Sequence, residues 1–233
     1  MLTQNTQLRL IFTVALGGKI DLLPRLFAYV KQVRAAVNYP SLLVDLGAAC
    51  LPNTWLCDAT DGRGMLVAMD ALGYDAFHLG ARDPLYARPD VVQGLQHTLV
   101  TRFAAGPWSS TVTRQGLTIL LVNGANLLPI SDRTPASTDL IVGLRYTDEA
   151  AQVARWRAPH RLLLLDCGAG DTRLGWLDVR LSADVPQLSV LGSQMLDLPK
   201  ALPHNLAPDP TITGVVEFVQ SEARYAERKR GTG

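Results

Sequence analysis

Short, largely apolar runs alternate with stretches of helical periodicity along most of this sequence. Leu8–Val14 and Leu42–Val44 have the length and composition of buried strands. Between them, apolar residues recur at steps of three and four, as on one face of a helix: Leu22, Leu26, Val30, Val33 and Val37. Because strands that alternate with helices build layered, mostly parallel sheets, this pattern predicts an α/β fold.

Seven further segments continue the alternation as far as Leu165. Three have the periodicity of helices: Met65–Leu72, Val91–Phe103, and a segment that Thr147 would cap and that carries Arg155 and Arg157 near its end. Four are short and apolar, as strands are: Asp75–Leu79, Leu117–Val122, Leu140–Leu144 and Leu162–Leu165.

The last third of the sequence changes character. Arg173–Leu181 and Gln187–Leu196 have the pattern of two strands in a hairpin. Asp209 and Pro210 are then a favourable N-cap and first residue for a final helix, which ends in a charged run expected to be frayed. The hairpin predicts a mixed sheet or a two-sheet sandwich flanked by helices. No linker interrupts the pattern, so a single domain over residues 1–233 is expected.

Composition and charge exclude several classes of protein. Hydrophobic residues make up 48% of the chain, which rules out a disordered protein and allows a large core. The formal net charge is +1, so no basic surface for nucleic acid is expected. No apolar run reaches the ~18 residues that span a bilayer. The polar start, Met1 to Arg9, lacks the features of a secretory signal and indicates a cytoplasmic protein.

The cysteines indicate neither a disulfide framework nor a zinc site. Cys50, Cys57 and Cys167 are odd in number and show no CxxC spacing. A bond between Cys50 and Cys57 is an open alternative, but buried free thiols are the favoured interpretation.

Four short motifs follow one another at the ends of these segments. They are TVALGG at Thr13–Gly18, LVDLGA at Leu43–Ala48, LGYDA at Leu72–Ala76 and GARD at Gly80–Asp83. Their order resembles the metallophosphoesterase domain of 5′-nucleotidases, in which the corresponding motifs read T-N-D-L-H-G, L-L-D-x-G-D, L-G-Y-D-A and G-N-H-E. The apolar and glycine positions match, whereas the residues that carry the chemistry do not.

Two segments near the end of the chain extend the resemblance. Gly170–Asp178 is similar to the closing hairpin of that family, and Pro208–Pro210 is similar to the segment before its last helix. The resemblance runs over the whole chain. It implies the α/β fold of metallophosphoesterases, with four layers, in which a sandwich of mixed β-sheets is flanked by helices.

Metal-binding side chains are missing where the resemblance would place them. The family holds two metal ions through an aspartate and a histidine of the first motif, an aspartate of the second and an asparagine of the third. Those positions hold carbon-only side chains or none here: Ala15, Gly17, Ala48 and Ala81. The resemblance therefore implies a chain with no metal and no other cofactor, which does not hydrolyse phosphate esters by the two-metal route.

Two arginines stand where the family has histidines of its site. Arg82 replaces the histidine that assists the leaving group, and Arg145 replaces a later one. Because a guanidinium stays protonated near neutral pH, neither arginine can act as a general acid. The family's last histidine loop has no counterpart between Arg157 and Leu162.

Two uses of this altered cleft remain open. In one, five residues form a metal-free site for a small anion or nucleotide: Gly17, Gly18, Arg82, Asp83 and Arg145. Paired guanidinium groups and backbone N–H groups can hold an anion in this way. In the other, Arg82 or Arg145 forms an ion pair with Asp83 or Asp45 and fills the cleft.

The sequence thus predicts a catalytically inactive protein of phosphoesterase fold that acts as a protein-binding or structural subunit. Trp55, Trp108 and Trp156 are candidate anchors for a protein partner. The anion or nucleotide binder is the alternative, and an enzyme of unrelated chemistry in the same cleft is the third hypothesis. Neither a nucleic-acid partner nor a membrane span is expected.

Overall fold

Two mixed sheets and a set of helices make up the protein. The computed structural model describes residues 5–80, 83–104, 109–124, 137–147, 154–157, 161–168, 170–182 and 187–231. In chain order the strands are β1 Thr6–Val14, β2 Ser41–Asp45, β3 Ala76–His78, β4 Arg102–Ala104, β5 Ser110–Arg114, β6 Leu117–Asn123, β7 Leu140–Thr147, β8 Ala154–Arg157, β9 Leu162–Gly168, β10 Arg173–Leu181 and β11 Leu188–Asp197. The helices are α1 Leu23–Ala35, α2 Trp55–Thr60, α3 Arg63–Ala71, α4 Pro89–Thr98 and α5 Pro210–Gly231.

Each sheet combines parallel and antiparallel pairing. The first has the strand order β11-β10-β1-β2-β3-β4, in which β1 to β4 are parallel and β10 and β11 form the predicted hairpin. The second has the order β5-β6-β7-β9-β8, parallel in its centre and antiparallel at both edges. Mixed sheets flanked by helices are the α/β architecture that the sequence predicts.

The sheets pack face to face around an apolar interior. Because side chains alternate between the two faces of a strand, every second residue of the central strands enters this space. The buried residues that meet there include Leu10, Phe12, Val44, Leu121, Val142 and Leu165. The outer face of the second sheet carries a smaller buried cluster: Leu120, Val122, Ile141 and Leu162.

Helices cover the outer face of the first sheet. The other alternation of its strands, with Ile11 and Leu43, belongs to one buried cluster with Leu26 and Val30 of α1. Helix α5 packs against α1, α2 and α3. Its first turn is capped as predicted, since Oδ1 of Asp209 accepts from two backbone N–H groups. None of the helices in the described ranges is long and apolar enough to cross a membrane.

A buried ion pair ties the hairpin to the parallel half of the first sheet. Arg9 of β1 lies opposite Asp178 of β10. Its Nε and Nη2 donate to the two carboxylate oxygens at 2.7 and 2.6 Å, and its Nη1 donates to the carbonyl of Val33 at 2.6 Å. One guanidinium therefore joins β1, β10 and α1, and its bidentate geometry fixes their register.

The helix predicted over Val91–Phe103 is wrong at its end. Helix α4 stops at Thr98, and Phe103 lies in β4, parallel to β3. Thr101 directs this change, because its N–H and its hydroxyl both donate to Oδ1 of Asp70 at 2.7 Å. The ring of Phe103 then packs edge-on against Phe77, with centroids 5.5 Å apart.

The predicted helix with Arg155 and Arg157 near its end is also wrong. Thr147 is the last residue of β7, and Ala154–Arg157 forms β8, which pairs antiparallel with β9. Pairing with a neighbouring strand outweighs the helical preference of this short segment, since propensity is a weak local bias. The charged run expected to fray at the end of the chain is likewise part of α5.

Cys50 and Cys57 form a disulfide, which overturns the expectation of free thiols there. Their Cα atoms lie 5.7 Å apart, a separation that suits the bond. The loop between them turns back so that α2 brings Cys57 against Cys50, and both residues are buried. Cys167 is free and buried, as expected.

Replacing Gly175 by alanine is expected to destabilise the protein by roughly 1–3 kcal/mol. A Cβ at this position of β10 would overlap the ring of Phe12, which fills the interior between the sheets. Gly192 of β11 is the matched control, because a Cβ there meets no atom within 4 Å in the described part of the chain. Urea unfolding of the two alanine variants measures the difference. Equal unfolding free energies of the two variants would contradict the prediction, because they would show that the ring of Phe12 moves aside at little cost.

Candidate functional site

The carboxyl ends of parallel strands from both sheets meet at one end of the sandwich. His78 ends β3, and its Nε2 lies 3.4 Å from Oδ1 of Asn123, which ends β6. A Cβ built on Gly47, just after β2, would lie 3.1 Å from Cβ of Tyr146 in β7. Ligand crevices of α/β sheets form outside the carboxyl ends of the strands, so this end holds the candidate site.

The turn after β1 is hydrogen-bonded to the turn after β2. The N–H of Gly17 donates to the carbonyl of Ala48 at 2.9 Å, and the N–H of Gly18 donates to that of Ala49 at 2.8 Å. Both glycines lie in the left-handed region, with φ of 60° and 78°. The two N–H groups of the candidate anion site are thus engaged within the fold, and an anion would have to displace these carbonyls.

Two alanines at these strand ends have an unusual backbone. Ala15 and Ala48 adopt φ of 55° and 57°, a conformation that costs a residue with a Cβ about 1 kcal/mol. Both side chains are buried methyl groups. The strand ends therefore keep a strained geometry at positions where the resemblance would place metal ligands, without side chains that could use it.

Asp45, at the end of β2, is held in a buried network beneath the helices. Its Oδ2 accepts from the hydroxyl of Thr13 at 2.8 Å, and its Oδ1 accepts from the N–H of Gly47 at 2.9 Å. Since the Thr13 proton is used, the hydroxyl of Tyr74 donates to Thr13 Oγ1 at 2.9 Å. Burial raises the pKa of Asp45 well above its usual range, although both hydrogen bonds oppose that shift. The carboxyl therefore shapes the turn after β2.

His78 is a buried histidine whose hydrogen bonds hold the turn below it. Its Nδ1 lies 2.7 Å from the carbonyl of Leu46, so Nδ1 carries the proton and donates. Burial lowers the pKa of His78, which favours the neutral ring. In that state Nε2 is an acceptor, so it can accept from Asn123 only when the side-chain amide is turned to present Nδ2 in place of Oδ1.

Arg145 pairs with Asp166 on the neighbouring strand. Its Nε donates to Oδ2 of Asp166 at 3.0 Å, and its Nη2 donates to the same oxygen. Thr147 donates to Oδ1 at 3.2 Å. Asp166 is 1% exposed and Arg145 is about a quarter exposed. The arginine therefore balances a buried carboxylate, whereas the sequence suggested Asp83 or Asp45 as its ion-pair partner.

Asp83 lies on the helical side of the first sheet. Its Oδ1 accepts from the N–H of Leu85 and caps the short 3-10 turn Pro84–Ala87. Its Oδ2 is buried without a hydrogen-bond partner in the described part of the chain, and burial raises its pKa to about 7. Arg82 and Ala81 lie outside the described residues. Within the described ranges no contact joins Asp83 to Arg145.

Lys19 and Thr172 are site residues that the sequence did not single out. The ammonium of Lys19 donates to Oγ1 of Thr172 at 2.7 Å, and that hydroxyl donates to the carbonyl of Ala15 at 2.7 Å. Lys19 therefore places an exposed cation beside the end of β1. Asp166 was also missed, and the signal for it is LLLD at the end of an apolar run, as in LLVD of β2.

These residues do not fit a two-metal centre. Such a centre needs carboxylate, imidazole or amide ligands that converge on two ions about 3.5–4 Å apart. No group of three histidines, cysteines, aspartates or glutamates able to hold a metal exists among the described residues. Asp166 faces a guanidinium, and Nδ1 of His78 faces a carbonyl.

Solved structures of phosphoesterases share this fold. NAD nucleotidase NadN of Haemophilus influenzae has a TM-score of 0.64 at 11% identity and covers 95% of this chain and 61% of its own. Calcineurin-like phosphoesterase YfkN of Bacillus subtilis has a TM-score of 0.60 at 13% identity, and the match covers 96% of this chain and 99% of the YfkN chain. The 5′-nucleotidase precursor of Thermus thermophilus has a TM-score of 0.69 at 12% identity, and the match covers 94% of this chain and 59% of the nucleotidase chain.

The chain therefore has the fold of calcineurin-like phosphoesterases and 5′-nucleotidases, as the order of its motifs predicts. It spans about three fifths of the two nucleotidases and nearly all of the Bacillus subtilis structure. At 11–13% identity this likeness shows the fold alone. No protein-family model matches the chain, and no curated protein matches it.

Replacing Asp83 by asparagine is expected to remove a pH dependence of stability. The pKa of Asp83 is about 7 in the folded protein, against about 3.9 unfolded. Between those values the unfolded chain loses the proton and the folded protein keeps it, so the unfolding free energy falls as pH rises. Three pKa units correspond to at most about 4 kcal/mol.

Urea unfolding at pH 4 and pH 8 measures this effect. Asp83→Asn should gain stability over the wild type at pH 8 and little at pH 4, because asparagine keeps the acceptor for the N–H of Leu85. The control is Asp90→Asn, an exposed carboxyl. A wild type and an Asp83→Asn variant with the same pH profile would contradict the assignment of Asp83 as a protonated buried acid.

Proposed function

We propose that this protein acts by binding and does not hydrolyse phosphate esters by the two-metal route. The observation that supports this is the use made of the two aspartates that end β2 and β9. Asp45 shapes a turn and Asp166 balances Arg145, so both carboxyls serve the fold. A function carried by the surface is the alternative that a fold without such ligands leaves, since function resides in sites.

The partner that we propose is another protein. Trp55 supports this choice, because its ring is 42% exposed and its Nε1 donates to Oε2 of the exposed Glu227. A large ring held in place at a surface is the type of side chain that anchors protein interfaces. Trp156 is a weaker candidate, since it packs partly into the interior, and Trp108 lies outside the described residues.

We also propose that this binding takes place in an oxidising compartment. The Cys50–Cys57 disulfide supports an oxidising compartment, where such bonds persist. An oxidising compartment conflicts with the cytoplasmic location that the sequence predicts, so the two are alternatives.

Binding of a small anion is the second candidate. The exposed ammonium of Lys19 favours it, because this cation stands at the end of β1 beside Gly17 and Gly18 and donates to a neutral hydroxyl. Against it, Arg145 is engaged by Asp166 and the two glycine N–H groups are engaged by carbonyls. We rank it below the protein partner for that reason.

Elemental analysis of the purified protein and an assay of phosphate-ester hydrolysis with added manganese test the proposal together. The expected result is no stoichiometric metal and no turnover above that of the variants Asp45→Asn and Asp166→Asn. These variants are the matched controls, because any contaminating phosphatase acts equally in all three preparations. Stoichiometric metal with turnover that Asp166→Asn abolishes would overturn the proposal.

Calorimetric titration with inorganic phosphate separates the two binding functions. Binding without metal that Lys19→Ala or Arg145→Ala abolishes would favour the anion binder. If no heat is detected up to about 1 mM phosphate, any binding of phosphate is weaker than a Kd of about 1 mM, which corresponds to about 4 kcal/mol. That result would favour the protein partner.

A further inference from the structure

Helix α5 has a second apolar stripe on the face that points away from the protein. Its inner face is buried through Ile212, Val216, Val219 and Ala223. On its outer face, Phe218 is 61% exposed and Tyr225 is 58% exposed. These two rings lie seven residues apart, so they share one side of the helix. Exposed aromatic residues at this spacing are typical of a helix that packs against another helix.

Small residues complete this outer stripe. Gly214 and Ser221 are exposed and lie on the same side of α5 as Phe218 and Tyr225, at alternating steps of four and three residues. Those steps place the four residues at the core positions of a heptad pattern. The stripe thus alternates a small residue with an aromatic ring over about 16 Å of helix.

No close packing within the described part of the chain accounts for a glycine at position 214. A Cβ at this position would meet no atom within 4 Å in the described residues, and its φ is not in the left-handed region. Glycine inside an exposed helix costs about 1 kcal/mol relative to alanine. A glycine that lowers the stability of the monomer is explained if a side chain of another helix occupies the space beside it.

Charged residues flank the stripe and set the orientation of a partner helix. Glu217 and Arg224 lie along one edge, and Glu222 and Lys229 lie along the other. If two copies of α5 packed in parallel, Glu217 would face Glu222 of the second copy, and Arg224 would face Lys229, which repels in both cases. If they packed antiparallel, Glu217 of each copy would face Arg224 of the other, which attracts.

We propose that the protein forms a two-fold symmetric dimer through antiparallel packing of α5 against α5 of a second copy. Phe218 then lies over Ser221 of the second copy, and Tyr225 fills the gap at its Gly214. Rings packed against small residues give the complementary surface that helix pairs need. A two-fold axis repeats each contact, so one self-complementary stripe is enough. This dimer does not use the proposed anchor Trp55, because Glu227, which holds Trp55, lies on a different side of α5 from the stripe.

Sedimentation equilibrium of the full chain from about 1 to 100 µM tests the dimer, a range in which a weak helix pair would dissociate. The wild type is expected to show a monomer–dimer equilibrium, and Phe218→Glu should weaken it at least tenfold. Tyr86→Ala is the matched control, because this exposed ring lies elsewhere, at 48% exposure, and its removal should change nothing.

Gly214→Leu separates a role in the dimer from a role in the fold. Leucine favours the helix and its Cβ meets no atom within 4 Å among the described residues, so the unfolding temperature of the monomer should not fall. The same side chain fills the space for Tyr225 of the second copy, so the dimer should weaken at least tenfold. A monomer that unfolds at lower temperature would assign Gly214 to the fold and overturn the argument.

The charged edges decide the orientation. In the antiparallel dimer, Glu217→Arg weakens association by placing two arginines together, and the double variant Glu217→Arg with Arg224→Glu restores it. In a parallel pair, Glu217→Arg would strengthen association. Three results would overturn the proposal. The wild type could stay monomeric up to about 100 µM, the dimer could persist in Phe218→Glu, or Glu217→Arg could strengthen association.

Discussion

A charge buried near the apolar interior needs a partner there, because a buried charge without one costs several kcal/mol. This constraint organises the end of the sandwich where strands of both sheets meet. Asp166 is matched by Arg145, and Asp45 by a hydroxyl and an N–H. The turn N–H groups of Gly17 and Gly18 are matched by carbonyls. In the described part of the chain, side chains and backbone groups at this end of the sandwich supply the partners of these buried groups.

Elements with a clear local pattern of apolar residues were predictable from the sequence, and elements that depend on a neighbouring strand were not. Helix α1 follows from one-sided burial, which leaves a helical repeat of apolar residues in the sequence. The first two strands are buried on both faces, so they show up as short, continuous apolar runs. Strands β4 and β8 are three and four residues long, too short to show a period. They exist because β3 and β9 offer edges to pair with, and that information lies far away in sequence.

The fold was predictable from the order of the motifs, whereas the contacts of the candidate residues were not. Motif order correctly identified the fold, and the strand pattern placed Arg145 directly after a strand that ends at Leu144. In the structure β7 continues to Thr147, so Arg145 lies within it. The sequence could not identify Asp166 as the partner of Arg145, because the two strands become neighbours only through the parallel pairing of β7 and β9. Likewise, the disulfide depends on how the loop before α2 turns back, which the spacing of Cys50 and Cys57 does not encode.

We propose that the carboxyl groups at the meeting strand ends maintain the fold and bind no metal. Anomalous diffraction from crystals grown in excess manganese tests it most directly, because the signal locates each ion without reference to activity. The claim predicts no anomalous peak within bonding distance of Asp45, Asp166 or His78, with Arg145 still paired to Asp166. Two peaks about 3.5–4 Å apart between these residues, with Arg145 displaced, would contradict it.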